Sequence, residues 1–227
     1  MIFLSIESST KYLTVALGDE EKLFAGTRRL YEKGRSDGLA VLMDACLKKA
    51  KLTLSKVDVF GVGVGPGSFT GLRIGISAAK GLSYALKKPC VGFSSLDAIA
   101  WNFNGFKKDP FTLAVAVDAR RSNVYGRLYD SGREVAPRGP EGLFPLKDFF
   151  TKSPKGLTVA GDILSVAQKE VGRLARGHRE ADESLWYPTP ESIAALTRRE
   201  CAARRFADAF RLEAVYYYEQ DCQVRHK

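Results

Sequence analysis

IFLSIESSTKYLTVALGDEE, residues 2–21, decides the fold, because a later part of the chain follows the same plan. The plan returns in FTLAVAVDARRSNVYGRLYDSG, residues 111–132. In each stretch an apolar strand ends in an acid, Glu7 or Asp118, and a polar turn leads to a returning strand. No single identity is decisive, but the shared plan predicts an α/β protein built from a duplicated unit. Each unit is a strand meander followed by a helix and a strand, and the two form separate lobes.

The hydrophobic period predicts the elements around these repeats. The expected elements are a third strand at KLFAGTRRL (22–30), helices at SDGLAVLMDACLKKAK (36–51) and 68–86, and strands at VDVFGVGVG (57–65) and near CVGF (90–93). A late helix over residues 189–210 begins with a Thr cap and a Pro, and its apolar side includes Phe206 and Phe210.

The domain prediction is an N-terminal lobe over residues 1–104 and a C-terminal lobe over residues 105–227. The basic segment NGFKKDP links them, because Gly105 and Pro110 bracket it. The late helix either stays with the second lobe or packs back on the first, and the sequence leaves both open.

Composition limits the function classes. The four cysteines are scattered with no CxxC pair, which predicts reduced thiols and a cytoplasmic location. His178 and His226 are the only histidines, and neither belongs to an HxxxH or HExxH pattern, so we expect no metal site and no catalytic triad. No apolar run is long enough to span a bilayer. The net charge of +9 is spread out, which favours a solvated basic surface over a nucleic-acid contact.

GVGVGPGSFTGLRIG, residues 61–75, has the glycine density of a phosphate-binding loop. The spacing satisfies neither the Walker motif nor the dinucleotide fingerprint, because no lysine and no third glycine stand where those motifs need them. The alternating glycines instead leave one face of a strand as bare backbone, and something must approach it closely.

The helix that follows has a flank of mostly small residues: Gly71, Gly75, Ala78 and Leu82. Glycine inside a helix costs about 1 kcal/mol, so two of them indicate a packing reason. Small residues four positions apart allow another helix to approach closely. The pattern leaves two interpretations open: packing within the chain, or docking onto another subunit.

The turn IESST offers a second candidate site. Glu7, Ser8, Ser9 and Thr10, with Asp118 opposite, could surround a nucleotide phosphate, with the acids holding a metal ion through water. Ser and Thr also fill ordinary turns because they bond their own backbone, and spacing alone favours the plain turn.

The chain resembles the TsaB (YeaZ) family. IESST, GPGSFTGLRIG and AVDARRSNVY stand in family order, and the similarity covers about the first 130 residues. The resemblance implies the actin-like, Hsp70-like, sugar-kinase (ASKHA) fold, with two lobes that each contain a mixed sheet and flanking helices. It also implies a role in making threonylcarbamoyladenosine next to the anticodon of tRNA.

In that role the chain would be a non-catalytic dimerisation subunit that supports a TsaD-like enzyme. A TsaE-like ATPase would join the complex, and tRNA would be met only through it. The interface residues carried over are Leu39, Met43, Cys46, Gly71, Ile74, Gly75 and Ala78. We expect no cofactor, although ATP or ADP with magnesium could lie at the subunit junction, and a homodimer is plausible when the chain is alone.

Three departures from the family pattern weaken the transfer. Glu7 stands where the family usually has Asp, Arg35-Ser36 stands where it often has a His-Ser pair, and VYYY (215–218) replaces a terminal VYLR. The competing hypothesis is an enzyme of the same fold, either a small nucleotide-binding kinase or ATPase, or a peptidase-like protein. It would use Glu7 and Asp118 around magnesium.

Overall fold

The elements are those of a computed structural model, which describes residues 1–31, 38–105 and 110–218. The strands are β1 Phe3–Glu7, β2 Tyr12–Gly18, β3 Leu23–Leu30, β4 Val59–Gly65, β5 Cys90–Ser94, β6 Thr112–Arg120, β7 Asn123–Asp130, β8 Ala136–Pro137, β9 Gly142–Pro145, β10 Thr158–Ala160 and β11 Arg179–Glu180. The helices are α1 Gly38–Ala50, α2 Phe69–Leu86, α3 Ser95–Trp101, α4 Leu146–Lys152, α5 Ile163–Leu174 and α6 Pro190–Ala202.

The first of two compact units comprises residues 1–102 and 187–214. Its sheet has the order β3-β2-β1-β4-β5, in which β1 is antiparallel to β2 and parallel to β4. Parallel strands need a crossover connection, and α1 and α2 supply the two crossovers to β4 and β5.

Helices cover both faces of this sheet, so its strands are apolar on both sides. On one face, Leu4, Ile6 and Val62 pack in a cluster with residues of α1 and α2. On the other face, Phe3 and Val91 pack in a cluster with α6 and residues of α3. The unit is therefore a three-layer arrangement of helices, sheet and helices.

The second unit comprises residues 103–186 together with residues 215–218. Its sheet has the order β11-β10-β6-β7-β8, and β9 pairs with β7. β6 is antiparallel to β7 and parallel to β10, and α4 and α5 pack on β6, β7 and β10 through Phe149, Phe150 and Ile163.

The two sheets repeat one topology. In each, the first strand lies at the centre, its meander partners lie on one side and two parallel strands lie on the other. The prediction of an α/β fold with a duplicated meander unit in two mixed sheets is confirmed.

The late helix is shorter than predicted. α6 ends at Ala202, and Arg204 has a left-handed φ of 54°, which stops the helix. Phe206 and Phe210 therefore lie outside the helix, in a segment where Ala207 pairs with Cys90 of the edge strand β5.

The observed units differ from the predicted boundaries of 1–104 and 105–227, because residues 187–214 belong to the first unit. The cause is α6, whose apolar residues Ile193 and Leu196 pack on the first sheet. Residues 106–109 of the predicted linker lie outside the described residues.

Candidate functional site

The alternating glycines of β4 make room for groups of the chain itself. A Cβ atom at Gly61 would overlap the Thr197 side chain of α6, and one at Gly63 would overlap the Glu7 carboxylate. Ser5 and Thr197 share a buried hydrogen bond of 2.7 Å beside this bare backbone. The glycine-rich strand is therefore a close-packing device inside the first unit.

Glu7 is fully buried at the end of β1, with a relative exposure of 0%. Its Oε1 atom accepts a hydrogen bond of 2.5 Å from the Ser9 amide, and its Oε2 atom accepts one of 2.8 Å from the Ser95 hydroxyl. Burial raises the pKa of Glu7 above its ordinary value of 4.5, although these hydrogen bonds act in the opposite direction. The carboxyl ties the end of β1 to the start of α3.

The rest of the IESST turn also bonds to the chain. The Ser8 hydroxyl donates to the Gly71 carbonyl at 2.8 Å, and the Ser9 carbonyl accepts from the Ser68 amide at 2.7 Å. Thr10 accepts from the Tyr12 amide at 3.2 Å. Within the described residues, only the buried Ser9 hydroxyl of this turn makes no hydrogen bond. These contacts are those of an ordinary turn, and nucleotide binding here stays a prediction.

Asp118 lies in the second unit, where its side chain serves the β6–β7 hairpin. Its carboxylate accepts from the Arg120 amide at 2.9 Å and pairs with the Arg120 guanidinium at 3.1 Å. Its own amide donates to Asp162 at 2.8 Å. Asp162, which precedes α5, is a partner that the sequence did not indicate.

Gly71 and Gly75 face the chain's own β1–β2 turn. A Cβ at Gly71 would overlap the Ser8 carbonyl oxygen, and one at Gly75 would overlap the Ser8 hydroxyl. The interpretation that these glycines are small for the sake of a partner helix is therefore wrong: they are small so that α2 can pack on Ser8. Whether the helices bind a partner stays a prediction.

The other predicted interface residues divide by burial. Leu39 and Cys46 are buried in the core under α1, and burial raises the pKa of the Cys46 thiol. Met43, Ile74 and Ala78 are half-buried and pack against the same core. Only these last three present part of their side chains to solvent.

The outward faces of α1 and α2 carry different residues from those predicted. The exposed residues are Ala40, Val41, Asp44, Ala45, Lys48 and Lys49 on α1, and Thr70, Arg73, Ser77, Gly81, Tyr84 and Ala85 on α2. A Cβ at Gly81 would meet nothing within 4 Å, so no contact among the described residues explains this glycine. Ser77, Gly81 and Ala85 recur every four residues, a spacing that could have been found in the sequence.

The described residues hold no group of three His, Cys, Asp or Glu side chains arranged for a metal ion. Among the same residues, no helix combines the length and apolar character needed to cross a bilayer.

Comparison with known proteins finds similarity to proteins named for tRNA modification. Residues 30–141 match the family model described as "TsaD: tRNA N6-adenosine threonylcarbamoyltransferase". The tRNA threonylcarbamoyladenosine biosynthesis protein TsaB of Escherichia coli is 31% identical over 144 residues, which are 62% of this chain and 60% of that protein. An uncharacterised protein of Mycobacterium tuberculosis is 35% identical over 137 residues, 59% of this chain and 62% of the relative. The chain thus spans about three fifths of the length of these curated relatives.

Solved structures match over nearly the whole chain. YeaZ from Pseudomonas aeruginosa superposes with a TM-score of 0.79 at 26% identity, covering 95% of this chain and 99% of that one. A protein described as similar to peptidase YeaZ, also from Pseudomonas aeruginosa, gives a TM-score of 0.80 at 26% identity, with 96% and 99% covered.

The repeated sheet topology defines an α/β protein of two mixed sheets with flanking helices, the layout expected from the resemblance to the actin-like, sugar-kinase fold. Glu7 is enclosed within that fold, while α1 and α2 present small residues outward. In sequence the chain is similar to relatives named TsaB, and in structure it is similar to YeaZ.

Proposed function

We propose that this protein is a non-catalytic subunit in threonylcarbamoyladenosine biosynthesis, where it binds and supports a TsaD-like enzyme in the cytoplasm. The names of its relatives and the TsaD family model support the pathway. A TsaE-like ATPase joins this complex, tRNA is met through it, and a homodimer forms when the partner is absent.

The outward face of α2 is the observation that carries this proposal. Gly81 lies in the interior of an 18-residue helix, where glycine costs about 1 kcal/mol relative to alanine. Within the described residues it gains nothing in return, because the space above it is open. With Ser77 and Ala85 on the same line, it forms a strip of small residues that lets the backbone of a partner helix approach.

The exposed side of α1 adds to the same surface in a way that suits a protein partner. Ala40, Val41 and Ala45 are small or aliphatic and exposed, and Val41 is 46% accessible. The Asp44 carboxylate pairs with the Lys48 ammonium one turn later at 2.6 Å, so the charged groups of this face partly neutralise each other. We refer to the exposed residues of α1 and α2 together as the α1–α2 face.

The non-catalytic role is proposed because the acid of the first turn is already engaged. The Glu7 carboxyl is enclosed and receives hydrogen bonds from Ser9 and Ser95, so it is not presented to a substrate. Metal and substrate chemistry would then belong to the TsaD-like partner.

A pair of matched glycine substitutions tests the proposal. Gly81→Leu places a side chain in the Ser77–Gly81–Ala85 strip. The control, Gly172→Leu, places the same side chain on α5, where Gly172 is also helical and exposed. Calorimetric titration against the TsaD-family protein of the same organism should show at least a tenfold loss of affinity for Gly81→Leu, about 1.4 kcal/mol or more. Gly172→Leu should bind like the parent.

Both substitutions improve helix propensity, so neither is expected to destabilise the fold. Equal affinity of Gly81→Leu and the parent would contradict the docking of a partner on this strip. Gly75→Leu is not a useful variant, because its side chain would collide with Ser8 inside the unit.

A further inference from the structure

A cleft of about 710 Å³ lies at the C-terminal end of α2, at the edge of the α1–α2 face. One wall is the end of α2 and the residues after it, and the other is the segment 206–210 that follows α6. Its lining includes Tyr84, Ala85, Lys87, Phe206, Asp208 and Phe210.

Three aromatic side chains of this cleft are exposed to solvent. Tyr84 is 70% accessible, Phe210 is 75% and Phe206 is 41%. The rings of Tyr84 and Phe210 meet edge to face, with centroids 6.0 Å apart and planes at 84°. Three exposed aromatic side chains gathered at one cleft with a polar rim indicate an interaction site.

The segment that carries Phe210 is held in place. Ala207 and Cys90 exchange two backbone hydrogen bonds of 2.8 Å, and the Asp208 carboxylate accepts from the amides of Phe210 and Arg211 at 2.8 and 3.0 Å. Phe210 is thus presented on a bonded turn, and little ordering is needed when a partner binds there.

The rim of the cleft has one uncompensated positive charge among the described residues. Lys88 pairs with Asp58 at 3.3 Å, and Asp208 is engaged by its own turn, whereas Lys87 forms no ion pair in the described part of the chain. Lys87 also has a left-handed φ of 53° at the end of α2, a position that favours glycine. Lysine at this position is less favourable for the backbone than glycine would be, which indicates that its side chain has a function. An ammonium group without an ion pair is suited to binding a carboxylate.

We propose that this cleft binds a segment of the TsaD-like partner that carries a large apolar side chain next to an acidic residue. Tyr84 and Ala85 line the cleft and also belong to the α1–α2 face, so one partner can cover both surfaces without a gap. Stacked RNA bases fit less well, because rings at 84° form no parallel slot for a base. This proposal rests on the proposed function.

Three substitutions test the cleft, with Val166→Ala as the control. Val166 is 58% exposed on α5 of the second unit. Against the TsaD-family protein of the same organism, Tyr84→Ala and Phe210→Ala should each weaken binding about tenfold, the effect expected of an aromatic anchor. Glycine adopts the left-handed backbone conformation at position 87 without strain, so the Lys87→Gly variant should stay folded. Its affinity for the TsaD-family protein should be weaker than that of the parent and should depend less on salt concentration. Val166→Ala should bind like the parent.

The outcomes separate the cleft from the proposed function. If Tyr84→Ala and Phe210→Ala bind as well as the parent while Gly81→Leu loses affinity, the cleft proposal is overturned and the proposed function stands. If the parent itself does not bind the TsaD-family protein, both are overturned. If instead the isolated chain binds unmodified tRNA and Phe210→Ala abolishes that binding, the cleft is a nucleic-acid site and the proposal of a protein segment is wrong.

Discussion

Gly71 and Gly81 lie on the same helix in opposite environments, so the same substitution should change stability in opposite directions. At Gly81 an added methyl group meets nothing, and Gly81→Ala should gain about 1 kcal/mol from helix propensity alone. At Gly71 the methyl group overlaps the Ser8 carbonyl oxygen, which belongs to the backbone and cannot rotate away. Overpacking of this kind costs about 1–3 kcal/mol, and the upper part of that range applies here.

The two variants should therefore differ by about 3 kcal/mol, with Gly71→Ala less stable than the parent by about 2 kcal/mol. The assay is urea unfolding followed by tryptophan fluorescence in a Trp186→Phe background. That background leaves Trp101, in the first unit, as the single tryptophan. If Gly71→Ala equals or exceeds the parent in stability, then α2 does not depend on close contact with Ser8, and that contact is not the reason for a glycine at position 71.

Three further predictions concern buried charge and ligand binding. Burial raises the pKa of Glu7, so protonation of Glu7 stabilises the folded state below about pH 4.5, and this stabilisation is lost as the pH rises through the folded-state pKa. Glu7→Gln should remove this pH dependence from the free energy of unfolding measured between pH 4 and 8. An unchanged pH dependence in the variant would contradict the prediction. The half-exposed Arg205 side chain binds the Glu200 carboxylate at 2.5 and 2.8 Å, and Arg199 binds the same carboxylate at 3.2 Å. Arg205→Ala should therefore cost about 1 kcal/mol at pH 7 in urea unfolding, whereas no measurable loss would show that the pair is screened. Calorimetry with magnesium and ATP on the isolated chain should give no binding in the micromolar range; tight binding that Glu7→Ala abolishes would favour the enzyme hypothesis.

The duplicated fold could be predicted because its signals are local. An apolar strand ending in an acid, a polar turn and a returning strand occur twice, and each repeat sets the central pair of one sheet. The start of α2 was also readable, since Ser68 accepts from the Gly71 amide as a helix cap.

The sequence could not predict which glycines of α2 face the interior of the unit and which face solvent. Gly75 follows Gly71 by four residues, and Gly81 stands four residues from both Ser77 and Ala85, so both sets look like small-residue strips. Which set faces inward depends on the Ser8 contact, between residues 63 positions apart in the chain. Spacing along a helix carries no information about a contact at that distance.

The predicted end of the late helix was wrong for a related reason. The apolar pattern of residues 203–210 predicts a continuation of the helix, but the edge strand of the sheet needs hydrogen-bond partners, and this segment supplies them. The edge strand β5 has open backbone groups, and the segment after Arg204 covers them through the Cys90–Ala207 pair. Because the chain leaves the helix after Ala202, Phe210 lies beside Tyr84 and forms a cleft that the sequence did not indicate.

The most direct measurement is a structure of this chain in complex with the TsaD-family protein of the same organism. We expect a helix of the partner to cross the Ser77–Gly81–Ala85 strip, with its backbone close to the Gly81 Cα atom. Solvent above Gly81 in a stable complex, with the partner seated elsewhere, would contradict the account.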